Sequence, residues 1–165
     1  MIFVDFKKYH EDIFRLCKMI TESGESFDFV IGIARGGLPP SFFVSKALKV
    51  PIALMISKRY PDESKGQAPI LQKPIFSKHL ASLDKIQGQG ILVDDLVDGG
   101  ETLIYGREYL QKEYPGIQLK TAVLYKKAHS RITPDFYVEE LPPEWITFFY
   151  DVEKFWNKGH RSVGK

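Results

Sequence analysis

Cysteine is nearly absent. Cys17 is the single thiol in 165 residues, so the chain closes no internal disulfide, and that usage fits a reducing compartment. Neither charge is in excess: 23 lysines and arginines face 21 aspartates and glutamates, a formal net charge of +2. So even a balance argues against a broad polyanion-binding face and against nucleic acid as a partner. No apolar run approaches the roughly 20 residues that a membrane-spanning helix needs. The opening "MIFVDFKKYHED" also lacks the basic-then-apolar order of a secretory leader. The four histidines, His10, His79, His129 and His160, share no metal-ligand spacing. Internal repeats and low-complexity segments are missing too. What remains is a 44% hydrophobic, 13% aromatic chain of single-domain size, expected to form one soluble, cytoplasmic globular unit over residues 1–165.

Strand and helix patterns alternate along it. "DFKKYHEDIFRLCKMITESGES" sets Phe6, Tyr9, Ile13, Leu16, Cys17 and Ile20 at helical spacing and stops near Gly24, with Cys17 as inert core. "FDFVIGIA" reads as a buried strand, and "GLPPSFFVSKALKV" as a helix with prolines near its start. "PIALMIS", "GQGILVDD" and "QLKTAVLYKK" are further strands, and "GETLIYGREYLQKEY" is a helix ending at Pro115-Gly116. Such repetition predicts an α/β fold, a parallel twisted sheet flanked by helices, because parallel neighbours need crossover connections. Two segments break the rhythm. Residues 58–77, "KRYPDESKGQAPILQKPIFS", carry three prolines and mixed charge and read as a long functional loop. Residues 134–156, "PDFYVEELPPEWITFFYDVEKFW", are aromatic and proline-broken and read as a small C-terminal hood over one end of the sheet. The tail "NKGHRSVGK" has nothing to bury.

Ligands of open α/β sheets bind beyond the carboxyl ends of the strands. Two turns there are rich in glycine: Ala34-Arg35-Gly36-Gly37, and the run from Asp94 to Thr102 within "ILVDDLVDGGETL". In the second, Gly99 and Gly100 let the backbone approach a ligand and aim amides at it. The helix starting near Glu101 adds the positive end of its dipole, and Thr102 adds a hydroxyl, which together make a seat for a monophosphate. It is neither a Walker A loop nor a dinucleotide fingerprint, because no Lys-Ser/Thr follows and the glycine spacing differs. Asp94 and Asp95 suit sugar hydroxyls or a hard cation. A sugar phosphate with free hydroxyls would satisfy both halves. One aspartate would suffice to cap an ordinary helix; three beside paired glycines exceed that need. Arg35-Gly36-Gly37 reads either as a common glycine turn or as a second anion site.

"ILVDDLVDGGETL" resembles the signature of the type I phosphoribosyltransferases, which bind 5-phosphoribosyl-1-pyrophosphate (PRPP), and "GIARGG" resembles their pyrophosphate loop. The likeness runs from "FDFVIGIARGG" to "PDFYVEELPPEWITFFYD" and is closest to the short 6-oxopurine enzymes, the xanthine-guanine and archaeal hypoxanthine/guanine phosphoribosyltransferases. It implies a Rossmann-like fold, Mg²⁺ as cofactor, and transfer of the phosphoribosyl group from PRPP to guanine, xanthine or hypoxanthine in purine salvage. A homodimer or homotetramer is implied as well. Carried over by position, Asp94 and Asp95 would hold the ribose hydroxyls directly or through Mg²⁺. Asp98 would be the proton acceptor near the base N7, and Gly99, Gly100, Glu101 and Thr102 would cradle the 5-phosphate. Arg35, Gly36 and Gly37 would contact pyrophosphate, at a loop where the family often has a cis peptide. Residues 58–77 would be a flap with Ser57 and Tyr60 near its start, and Lys73 would either touch pyrophosphate or stay in solvent. Of the pair Lys126 and Lys127, Lys127 would contact the exocyclic oxygen of the purine. Trp145 would stack on the base, Ile146 would add backbone contacts, and Asp151 would approach a second Mg²⁺. Many members carry a hydroxyl residue where this chain has Gly99, so weaker phosphate binding is expected. From another class, a PRPP-sensing regulator with the same fold is the alternative, while the pair Lys127 and Trp145 argues against a pyrimidine substrate.

Overall fold

In chain order the elements are β1 (Ile2–Val4), α1 (Phe6–Thr21), β2 (Phe29–Ala34), α2 (Leu38–Leu48), β3 (Ile52–Lys58), β4 (Ile75–Phe76), β5 (Gly88–Val97), α3 (Glu101–Glu113), β6 (Ile117–Lys127), β7 (Phe136–Leu141) and β8 (Ile146–Phe148). They come from a computed structural model that describes residues 1–59 and 71–152. Six strands form one sheet in the order β4-β3-β2-β5-β6-β7, parallel throughout except where β4 runs against β3.

The central strands are apolar on both faces because helices cover both. Alternate residues of a strand face opposite ways. Val30, Ile91 and Val93 therefore pack with Ile13, Leu16 and Ile20 of α1 and Val44 of α2. Ile31 and Leu92 pack instead with Leu103 and Leu110 of α3. Asp5 starts α1 by accepting the Lys8 amide at 2.8 Å, and prolines occupy the first positions of α2, where no amide is needed. Cys17 is buried in the α1 core, and burial pushes its thiol pKa up to about 11.

Three parts of the sequence reading are corrected. Phe6 is 62% exposed, whereas Asp12 on the same helix is only 2% exposed. Asp12 accepts from Lys8 Nζ at 2.9 Å, Arg15 Nη1 at 2.8 Å and the Tyr125 hydroxyl at 2.7 Å. Lys8 also donates to Glu139 at 2.6 Å, so the cluster fastens α1 to β6 and β7. The passage 58–77 opens and closes as an antiparallel hairpin, with Ser57 opposite Phe76, Lys58 opposite Ile75, and the Leu71 amide donating to Arg59 O at 2.8 Å. Tyr60 and residues 61–70 lie outside the described residues, as do 153–165, which include the end of the expected hood and the tail. Within the hood, β7 joins the main sheet as its parallel edge strand, reached by the 128–135 connection without a helix, and β8 pairs in parallel with β1.

Burial alone would raise the Asp12 carboxyl, but hydrogen bonds from Lys8, Tyr125 and Arg15 outweigh it and hold the pKa below the ordinary value. A carboxylate with a depressed folded pKa stabilises above its unfolded pKa, and that contribution fades as pH falls through the folded one. Asp12→Asn should cost about 3 kcal/mol at pH 7, the scale for breaking a buried ion pair. Urea denaturation at pH 7 and pH 3 checks this, and the gap from the parent should narrow at the lower pH.

Candidate active site

β2 and β5 are parallel neighbours, so the turns that follow them lie side by side. The Ala34–Arg35 peptide bond is cis. A Cβ placed on Gly36 would overlap the Asp95 carboxylate, and one on Gly37 would lie 2.5 Å from Val93 O and 2.6 Å from Ile33 O. Glycine at these two positions lets the first turn rest directly on the acidic stretch of β5. Arg35 is exposed at the head of this turn, and α2 begins just behind it.

Asp94 and Asp95 lie within β5, which continues to Val97. Asp94 is buried and accepts the Asp95 amide at 3.0 Å. Asp95 accepts the Tyr150 hydroxyl. Burial first, and then the charge of Asp95, raises the Asp94 pKa well above the carboxylate range; burial also raises that of Asp95. Tyr150 is backed by Phe148, stacked at 5.0 Å, and by Tyr9 at 5.6 Å. Two adjacent carboxyls under this strain are well suited to a divalent cation or a set of sugar hydroxyls, either of which favours their charged form.

Asp98 follows the strand and stands in solvent with Lys127 Nζ 3.4 Å and His129 Nε2 2.9 Å from its Oδ1. Lys126 points away and donates to Glu140 at 2.6 Å. Gly100 has φ +104°, and a Cβ there would meet Ile132 at 2.7 Å, so both conformation and space call for glycine. Glu101 opens α3 and turns its carboxylate back over Gly99, taking Arg131 Nη2 at 2.6 Å and Arg59 Nη1 at 3.5 Å. A cavity of about 160 Å³ lies here, lined by Arg59, Asp98, Gly100 and Thr102 among others.

A family model described as a phosphoribosyl transferase domain matches residues 5–154. The chain belongs to that family. Xanthine-guanine phosphoribosyltransferase of Cereibacter sphaeroides is 34% identical over 125 residues, covering 74% of this chain and 68% of that protein. The Chromohalobacter salexigens protein of the same name is 27% identical over 151 residues, 90% of this chain and 83% of that one. Among solved structures, a purine phosphoribosyltransferase from Pyrococcus horikoshii superposes with TM-score 0.72 at 28% identity, covering 90% and 92% of the two chains. A Helicobacter pylori xanthine-guanine-hypoxanthine phosphoribosyltransferase shares the fold at TM-score 0.75 and 21% identity, covering 96% of this chain and 99% of that one.

In this phosphoribosyl transferase the remaining expected residues are spread along the hood. Trp145 is 63% exposed just before β8, and its carbonyl takes the Ile2 amide at 2.8 Å. Ile146 is buried and pairs with Ile2 of β1. Asp151 closes a turn by accepting the Phe148 amide at 2.9 Å. Lys73 Nζ lies 5.3 Å from the ring centroid of Tyr105 on α3. No helix among the described residues is long and apolar enough to cross a membrane.

Four residues at the site escape a reading by pattern: Tyr150, Arg59, Arg131 and His129. His129 lies in the turn after β6 and Arg131 in the same connection, while Arg59 and Tyr150 arrive from other parts of the chain, so none leaves a local signal.

Gly37→Ala should lower stability by about 1–3 kcal/mol, the cost of overpacking against fixed backbone. Gly106→Ala, whose Cβ would meet only the Met55 side chain at 3.2 Å and Phe76 at 3.5 Å, should cost less. Thermal unfolding of the two variants makes the comparison.

Proposed function

We propose that this phosphoribosyl transferase moves the 5-phosphoribosyl group of PRPP to a 6-oxopurine, guanine, xanthine or hypoxanthine, releasing pyrophosphate and forming a nucleoside 5'-monophosphate. The observation that carries this reading is the approach of Lys127 Nζ to Asp98 at 3.4 Å. A donor and an acceptor held together at the end of neighbouring strands match the carbonyl oxygen at C6 and the ring nitrogen N7, which lie side by side on a 6-oxopurine. The names of the two bacterial relatives agree with that substrate class.

On this reading the base nitrogen N9 bonds to C1 of the ribose as the bond from C1 to the pyrophosphate oxygen breaks, its electron pair leaving with pyrophosphate. Asp98 accepts the proton that the base gives up, and Lys127 holds the exocyclic oxygen. Asp94 and Asp95 take the ribose hydroxyls and face the positive charge that grows on the ring. Arg35 and the amides of Gly36 and Gly37 hold the pyrophosphate, and the loop from Gly99 to Thr102 holds the 5-phosphate. Asp94 and Asp95 would hold Mg²⁺, with Asp151 near a second ion; when bound, Mg²⁺ would offset charge on the pyrophosphate oxygens. Trp145 stacks on the purine and Ile146 supplies main-chain contacts.

A steady-state panel of bases with PRPP and Mg²⁺, followed by pyrophosphate release, should show turnover with at least one 6-oxopurine and none with uracil or adenine. Silence with guanine, xanthine and hypoxanthine alike would refute the assignment. Asp98→Asn should lower kcat by about 10²–10⁴ with little change in the KM for PRPP, as expected for loss of a proton acceptor. Trp145→Ala should raise the KM for the base by about 5- to 100-fold, the range for a lost stacking contact, and leave PRPP binding unaffected.

A further inference from the structure

The phosphate loop of this chain carries its own anion. Glu101 is the first residue of α3, in the segment whose amides and helix dipole favour negative charge. Instead of extending into solvent, its side chain folds back, and a Cβ at Gly99 would lie 2.5 and 2.8 Å from its two oxygens. Those oxygens are divided between two guanidiniums, one to Arg131 at 2.6 Å and the other to Arg59 at 3.5 Å. The arginines arrive independently: Arg59 from the end of β3, and Arg131 from the connection between β6 and β7, where its amide donates to Gly99 O at 3.1 Å. The Arg59 Nε is buried and lacks a hydrogen-bond partner among the described residues. Arg59 lines the 160 Å³ cavity over Gly100 and Thr102, and both arginines line an adjoining cavity of about 430 Å³ with Leu71, Gln72 and Tyr105.

We propose that Glu101 is a resident stand-in for the substrate phosphate: its carboxylate keeps Arg59 and Arg131 poised over the loop, and the two arginines pass to the 5-phosphate when it enters. This rests on the reading of the loop from Gly99 to Thr102 as the 5-phosphate seat. One carboxylate sets a single negative charge against two guanidiniums, whereas a phosphate dianion balances both and offers three oxygens in the fork geometry that arginine prefers. An ionised Glu101 left in place would repel that dianion, so entry requires the side chain to swing away from Gly99. The arrangement also answers the missing hydroxyl at Gly99. Two charge-assisted contacts replace one neutral donor, and the absence of a side chain at Gly99 gives the Glu101 carboxylate its resting place.

The test is calorimetric titration of the full chain with PRPP and Mg²⁺, repeated with inorganic phosphate alone, for the parent, Glu101→Gln, Arg59→Met and Arg131→Met, each checked for folding by thermal melting. Glu101→Gln keeps the shape and removes the competing charge, so both probes should bind about tenfold more tightly. Arg59→Met and Arg131→Met should each weaken both by about tenfold or more, the scale of a hydrogen bond to a charged group. Unchanged or weaker binding by Glu101→Gln, or Kd values within twofold of the parent for the arginine variants, would overturn the proposal. Failure of the parent to bind PRPP would count against the function above; the inorganic phosphate series would still decide the role of Glu101.

Discussion

Everything at the site depends on how closely the turn after β2 approaches the acidic stretch of β5. The strands are parallel neighbours, and the space between their ends is set by Gly36 against the Asp95 carboxylate and Gly37 against two carbonyl oxygens. A side chain at either position would push the loops apart by the width of a methyl group. The contact joins two loops of opposite electrostatic preference, one offering amides and Arg35, the other offering carboxyls. A ligand lying across them meets both within one molecule's length.

That closeness has an electrostatic consequence inside the strand. Asp94 and Asp95 sit where burial disfavours their charge, and the nearest relief comes from a backbone amide and the Tyr150 hydroxyl. Outside the strand the pattern reverses. Asp98 has the Lys127 ammonium and the His129 ring beside it, and Glu101 has Arg59 and Arg131. Moving from β5 into α3, the carboxyls thus pass from uncompensated to compensated. The uncompensated pair favours a cation or hydroxyls, while the compensated stretch can release its positive partners to an anion.

Much of this was open to inference from sequence, for identifiable reasons. β2, β3, β5 and β6 carry apolar runs bounded by turn residues, α1 starts at the Asp5 cap and α2 at its prolines, so local chemistry agrees with the fold. The two glycine turns stand out because their composition serves backbone geometry and little else. What stayed hidden depends on distant partners. Asp12 looks like a surface residue on a helix wheel, and beside Lys8 and Arg15 its burial rests on Tyr125, a partner far along the chain. Phe6 looks like core and lies outside it. β1 and β8 are three residues each, too short to show a period, and exist because they meet. β7 lacks the alternation of a covered strand because it lies at the sheet edge, with a burial pattern mixed along its length. Arg59, Arg131 and Tyr150 belong to the site through convergence of loops, which a linear pattern does not record.

The pairing of β1 with β8 brings together opposite ends of the described chain, and the Met1 ammonium reaches Glu144 across 143 residues of sequence. The two halves of the site therefore form by different routes. The glycine turns belong to βα units that close over short distances, whereas the segment carrying Trp145 and Ile146 is anchored across nearly the whole described chain, a long closure of the kind that is entropically slow to form. During synthesis, β1 has no partner until β8 is made. The glycine turns of the site can be complete while the segment carrying Trp145 is still unbuilt.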